Sequence, residues 1–147
     1  MKENQSIPIY TISSTAEMLG ISVPTLRMYE KEGLIIPYKK ESNQRRYSQN
    51  DLSRIRCIRD AINKDKISIA GIKRLMALNP CWDIIKCSAE DRSQCAAIKD
   101  HTKPCWAHKH TTGICGTKDC RECIVYFDLM HCDSIKSTIV AGIPDSI

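Results

Sequence analysis

Eight of the nine cysteines in this chain lie beyond residue 80, and that asymmetry limits what it can fold into. Cys57 stands alone, whereas Cys81, Cys87, Cys95, Cys105, Cys115, Cys120, Cys123 and Cys132 crowd into one segment. The same segment is poor in large apolar residues, with Trp82, Trp106, Val125, Tyr126, Phe127 and a few aliphatics among them. So small a core is marginal without a staple. Thiolates that bind a metal supply one, because their binding energy becomes folding energy. Charge divides the other way. Residues 1–79 carry 14 Lys/Arg against 8 Asp/Glu, and residues 80–147 carry 8 against 9. Two compositions in one chain predict two modules, at 1–79 and 80–132, followed by a tail at 133–147.

Several function classes fall away early. No run approaches the roughly 18 apolar residues of a membrane span. The polar start, Met1 to Ser6, lacks a signal-peptide core, so the chain reads as cytoplasmic, with no membrane partner. In that compartment thiols stay reduced, and a metal site explains clustered cysteines better than disulfides do. No phosphate-binding glycine loop, metallohydrolase motif or catalytic triad signature appears, so the chain reads as a non-enzyme. Cys120-Arg121-Glu122-Cys123 has redox spacing but lacks the strand–helix context of a thioredoxin-like site. A thiol oxidoreductase using Cys120 and Cys123 is a remote alternative.

The basic half reads as a run of short capped helices. Ser22 to Gly33 forms one, with Ser22 as cap, Pro24 in the first turn and Gly33 ending it left-handed. Val23 and Leu26 share its apolar stripe, whereas Thr25, Arg27, Met28 and Lys31 lie largely elsewhere. Before it, Ile12 to Ile21 reads as a first helix, capped by Ser13 or Ser14, with Gly20 at the turn and Ala16 and Leu19 inward. Two short helices so joined make a helix-turn-helix. After Pro37, Tyr38-Lys39-Lys40 and Arg45-Arg46-Tyr47 read as two strands of a basic wing around a polar turn. Ser48 then caps a third helix, with Asp51 completing a capping box. Leu52, Ile55, Ile58 and Ile62 point inward, and at least two of Arg54, Arg56 and Arg59 face solvent. Cys57 reads as a reduced, half-buried thiol. Ser68 caps a fourth helix through Leu78, with Ile69, Ile72, Leu75 and Met76 inward and Pro80 ending it.

This half resembles the MerR family of bacterial transcription regulators. The resemblance is carried by Tyr10-Thr11-Ile12, Ala16, Leu19-Gly20-Ile21, Thr25-Leu26-Arg27-Met28-Tyr29-Glu30, Gly33-Leu34-Ile35, Pro37, Arg45-Arg46-Tyr47-Ser48 and Asp51-Leu52. The Leu-Arg-Met-Tyr-Glu form, with Ile69-Ala70-Gly71-Ile72 downstream, looks most like the HspR-type branch. The family resemblance implies a mainly α, winged helix-turn-helix fold and a double-stranded DNA operator. Ser22, Thr25, Arg27 and Tyr29 would lie at the groove, with Lys39, Arg45, Arg46 and Tyr47 gripping backbone from the wing. A homodimer on two half-sites is expected, with RNA polymerase as a further candidate partner. The long pairing helix usual in the family is missing from the sequence, because Pro80 stops the chain where it would begin.

The cysteine-rich segment resembles the two-CW domain, named for its paired Cys-Trp dipeptides. Cys81-Trp82, Cys87, Cys95-Ala96-Ala97, Pro104-Cys105-Trp106, Cys115 and Cys120-x-x-Cys123-Ile124-Val125-Tyr126 carry the match. The candidate ligands are Cys81, Cys87, Cys95, Cys105, Cys115, Cys120 and Cys123, and Cys132 lies past the match. One close pair and otherwise wide spacings suit an iron–sulfur cluster or zinc. Trp82 and Trp106 are expected to pack over the thiolates and exclude water. Such a module would sense redox, gas or metal state. The alternative is a structural zinc staple or a protein-docking surface.

Overall fold

The computed structural model describes residues 4–78, 81, 85–108 and 119–127. Cys115, Cys132, Trp82 and the tail at 133–147 lie outside the described residues. The fold is mainly helical with one small antiparallel sheet. In chain order, the first half comprises a 3-10 turn Asn4–Ser6, β1 Tyr10–Thr11, α1 Ile12–Leu19, α2 Val23–Lys31, β2 Tyr38–Lys39, β3 Arg45–Tyr47, α3 Gln49–Asn63 and α4 Ile69–Ala77. The second half adds α5 Ala89–Gln94, α6 Ala96–Lys99, two 3-10 turns at Cys105–Ala107 and Cys120–Glu122, and α7 Ile124–Phe127.

Side-chain caps start the helices. Ser22, Ser48 and Ser68 accept from the backbone N–H of Thr25, Asp51 and Gly71, so three of the expected starts are met. At Ser48 the capping box is complete, since Asp51 also accepts from the Ser48 N–H at 2.7 Å. The first helix is capped by Thr11, not by Ser13 or Ser14. Thr11 sits in extended backbone at the end of β1, and its hydroxyl accepts from the Ser14 N–H at 3.1 Å. Gly20 closes α1 in the left-handed region, at φ 67°.

The sheet has the order β1-β3-β2. Tyr10 pairs with Tyr47, and Thr11 with Arg46, which ties the entry to the first helix to the wing. On the other edge Tyr38 pairs with Arg46, and Lys39 with Arg45. Between these strands Asn43 takes φ 63°, and its N–H donates to Lys40 O at 2.8 Å. Asparagine tolerates that left-handed turn position better than most residues.

Leu26, Leu34, Leu52 and Ile55 are fully buried and centre the core, along with Ile58, Ile72 and Met76. Each such side chain contributes on the order of 1.5–3 kcal/mol of burial. Leu75 departs from expectation. It is 47% exposed, because Ile72 and Met76 take the inward stripe of α4. Trp106, Val125 and Tyr126 belong to this same cluster. Residues on both sides of 79–80 therefore share one core. Cys57 carries a disulfide, where the sequence predicts a reduced thiol. Local spacing had shown no neighbouring cysteine, and a tertiary contact is invisible to it.

Candidate nucleic-acid interface and thiol centre

The basic face is built from α2 and the wing. Arg27 projects exposed from α2, and Ser22 and Thr25 sit at its start with their hydroxyls 2.8 Å apart. A groove of about 440 Å³ runs between this helix and the wing, lined by Thr11, Ile12, Arg27, Asn43, Gln44, Arg45 and Arg46. Arg46 stands half-buried on β3, with its guanidinium 3.4 Å from Gln44 Oε1. Arg45 is spoken for by Glu30, to which it donates through Nε and, at 3.2 Å, through Nη2. That carboxylate raises the Arg45 pKa further. Lys39 shares the same acid at 3.5 Å. Glu30 thus locks the wing to the recognition helix, so Arg45 acts as a positioning residue as well as a charge.

Two expected contacts fail on burial. Tyr29 is 3% exposed and Tyr47 is 1% exposed, so both belong to the core and not to the exposed basic face. Each is an amphipathic ring, and its apolar body wins where the helix and strand turn that face inward. The Tyr47 hydroxyl has no partner among the described residues, and burial pushes its pKa up to about 12.

The thiols gather against the other end of the same unit. Cys81, Cys105, Cys120 and Cys123 all pack on the core's edge. The Cys105 and Cys81 thiols are hydrogen-bonded, and that bond, burial, and the nearby Cys123 and Cys120 hold Cys105 far above the usual thiol range. Burial also raises Cys120 and Cys87, and Cys87 lies within electrostatic reach of Cys81 and Cys95. Six of the seven candidate ligands are thus described, four of them forming an inner group. A cluster of soft sulfur donors from separate chain segments fits a thiophilic cation, which would offset the charge that burial penalises. Among the described residues no three donors already stand at the separations of a filled site. His108 faces Asp100 at 3.6 Å and His101 is exposed.

The connection between these two regions was not legible in the sequence. Trp106 does not simply cover thiols: its indole N–H donates to Gly33 O at 2.6 Å. Arg121 donates to Ile36 O and makes a two-pronged pair with Asp51, at 3.0 and 2.6 Å. The Tyr126 hydroxyl accepts the Ile36 N–H at 2.8 Å. Arg54, expected beside the α3 stripe, is 1% exposed. It donates to Leu34 O at 3.1 Å and to Tyr126 O at 2.8 Å. Its guanidinium lies 3.8 Å from the Tyr126 ring centroid and 4.9 Å from that of Trp106. Those rings meet edge to face at 5.2 Å. Arg56 is exposed but Arg59 is half-buried, so only one of the three arginines stands fully in solvent, where at least two were expected.

Known proteins match chiefly the first half. A family profile described as "MerR HTH family regulatory protein" matches residues 10–78. The chain is 35% identical over 74 residues to the "Putative heat shock protein HspR" of Streptomyces coelicolor, covering 50% of this chain and 49% of that one. It therefore spans about half the length of that relative. It is 31% identical over 130 residues to the "Heavy metal-dependent transcription regulator 2" of Rhizobium meliloti, covering 82% of this chain and 86% of that protein. Among solved structures, HiNmlR, "a MerR family regulator lacking the sensor domain, bound to promoter DNA", aligns at 36% identity with a TM-score of 0.41, over 44% of this chain and 52% of that one. By the family profile and the Rhizobium meliloti relative, over a mainly α winged helix-turn-helix unit with capped α1 and α2 and a β2–β3 wing, the chain belongs to the MerR family.

Proposed function

We propose that this protein is a DNA-binding transcription regulator, without enzymatic activity, that works in the cytoplasm as a homodimer on a two-half-site operator. The observation that carries this is the exposed groove between α2 and the wing, lined by Arg27, Arg45 and Arg46 and continuous with Thr11. Glu30 of α2 holds one of them, Arg45, and also holds Lys39 of the wing. Ser22, Thr25 and Arg27 meet the groove edge of the duplex, and Lys39, Arg45 and Arg46 meet phosphate. RNA polymerase is the proposed protein partner at the promoter. The test is a binding titration against duplexes selected from a random pool, over a range of salt. Affinity should fall steeply as salt rises, because phosphate contacts release counterions. Affinity independent of salt would refute the reading.

We further propose that the cysteine-rich half binds a thiophilic metal, as zinc or an iron–sulfur cluster, and reports metal or redox state. Support comes from the inner group of Cys81, Cys105, Cys120 and Cys123, with Cys87 and Cys95 as outer candidates; Cys115, also a candidate, lies outside the described residues. The Rhizobium meliloti relative's description as heavy metal-dependent adds to it. When bound, the metal supplies a cross-link between the segments that carry the thiols. A second reading, in which the module is a structural brace, is favoured by the burial of Trp106 and Tyr126 in the common core. Metal analysis of anaerobically purified protein separates these. A brown protein absorbing near about 400 nm indicates a cluster. A colourless, zinc-bearing one indicates the staple, and metal-free protein refutes both metal forms.

A further inference from the structure

A cavity of about 620 Å³ lies where the two halves meet, within the roughly 300–1,000 Å³ range of small-molecule sites. It shares no lining residue with the groove at the basic face. Its walls come from separate stretches of chain: the end of α2 with the connector to β2, Lys73 of α4, the 103–107 turn and the 119–121 turn. We propose that this cavity binds a small organic anion, an aryl carboxylate by chemical class. The inference depends on neither the DNA reading nor the metal reading.

Charge selects the class. Five cationic side chains line the cavity against three carboxylates. Two of those acids are already answered, Glu30 by Arg45 and Lys39, and Glu32 by Lys73 at 3.1 Å. The third, Asp119, is exposed and accepts the Arg121 N–H at 3.1 Å. The Arg121 guanidinium is committed to Asp51 and Ile36 O. That leaves Lys31 and Lys103, neither of which makes an ion pair among the described residues, although Lys103 lies within electrostatic reach of Asp100. Lys103 is half-buried, where a charge is less screened than in bulk water. A ligand carboxylate supplies the missing counter-charge.

Apolar surface selects the body. Ile35 and Pro37 are buried in the wall, and Ile36 and Ala107 are half-buried there. Tyr38, 42% exposed, gives the lining a ring on which a flat ligand stacks. The walls are also fixed before a ligand arrives. Trp106 donates to Gly33 O at 2.6 Å, and a Cβ at Gly33 would stand 2.9 Å from Ala107 Cβ, so connector and turn are in close contact. Tyr126 Oη accepts the Ile36 N–H at 2.8 Å, on the residue whose carbonyl Arg121 holds. A site preformed in this way loses little ordering entropy on binding.

The test titrates the full chain, without DNA, with isophthalate, whose two carboxylates match the two lysines. Magnetic resonance follows the Trp106 indole N–H, one of two such signals in the chain and the one missing from Trp106→Phe. Two further probes divide the chemistry: isophthalamide keeps the ring without the charge, and inorganic phosphate keeps charge without the ring. Isophthalate should saturate with a Kd on the order of 1 mM or tighter, as a molecule of its size allows. Isophthalamide and phosphate should each bind at least about tenfold more weakly, and Lys103→Met should weaken isophthalate about tenfold. No change in the Trp106 signal up to about 20 mM isophthalate overturns the proposal. Equal binding of isophthalamide or of phosphate overturns the ligand class, and unaltered binding by Lys103→Met overturns the placement. Should Lys103→Met fail to fold, Lys31→Met is read by the same criteria, and the three probes on wild type decide the class by themselves.

Discussion

Replacing Arg121 with Met should unfold far more than the cysteine-rich half. Asp51 is 3% exposed, and its two oxygens receive Arg121 at 3.0 and 2.6 Å. The same carboxylate caps α3, accepting from the Ser48 N–H at 2.7 Å and its hydroxyl at 3.0 Å. Breaking a buried pair from one side typically costs about 3–5 kcal/mol, because a charge is left in a poorly solvated place. The Ser48 donors still serve Asp51, so the lower end, about 3 kcal/mol, is the better figure. Arg121 also surrenders its bond to Ile36 O, adding about 1 kcal/mol. Against a net stability of roughly 5–15 kcal/mol, that is a large share. For a chain of this size each kcal/mol lowers Tm by roughly 2–8 °C, so Arg121→Met should melt at least about 8 °C lower. Circular dichroism at the helical signal reads it, since α3 is the longest helix described. Asp51→Asn combined with Arg121→Met should cost clearly less than the two single changes added, as coupled partners do. A single Arg121→Met melting within about 2 °C of wild type would refute the reasoning, as would strict additivity.

Three other outcomes follow from the same geometry. Gly33→Ala should destabilise by about 1–2 kcal/mol or more in urea titration, since φ is 79° and Ala107 Cβ blocks the new methyl. Tyr47→Phe should be nearly neutral at pH 7, because the hydroxyl has no partner among the described residues. At alkaline pH it should differ from wild type. With a folded pKa of about 12 against an ordinary 10.0, the Tyr47 contribution is fully present below pH 10 and is lost as pH rises through 12. Wild type should therefore lose more stability than Tyr47→Phe between pH 10 and 12, measured by denaturation at each pH. On DNA, Arg46→Ala should weaken all duplexes about equally, whereas Arg27→Ala should cost about 1–3 kcal/mol more on the selected duplex than on random DNA, read by anisotropy titration.

Local chemistry made much of the first half legible. A serine placed just before a helix states where that helix starts, and Ser22, Ser48 and Ser68 each do so. Where hydroxyls crowd, as at Thr11, Ser13 and Ser14, the choice depends on backbone conformation that sequence does not carry. The aromatic residues misled for a different reason. Tyr29 and Tyr47 have the chemistry of a contact residue, but burial is decided by the opposing element. Arg54 shows the limit most clearly. Its partners at Leu34 and Tyr126 are 20 and 72 residues away, so nothing in its own helix announces that it is the buried centre of the fold. Cysteine density raised the expectation of a cross-link in the second half. Which thiols converge, and that their neighbours reach into the DNA-binding half, are tertiary facts.

The claim on which the rest depends is that both halves form one cooperative unit through Gly33, Ile36, Asp51 and Arg54. Native-state hydrogen exchange with and without chelator tests it most directly, reading the Ile36 amide that Tyr126 accepts. The account predicts that this amide, and those at the start of α3, lose protection together with residues 119–127 when chelator removes whatever metal the thiols hold. Loss confined to the cysteine-rich segment, with Ile36 and α3 protected as before, would contradict it.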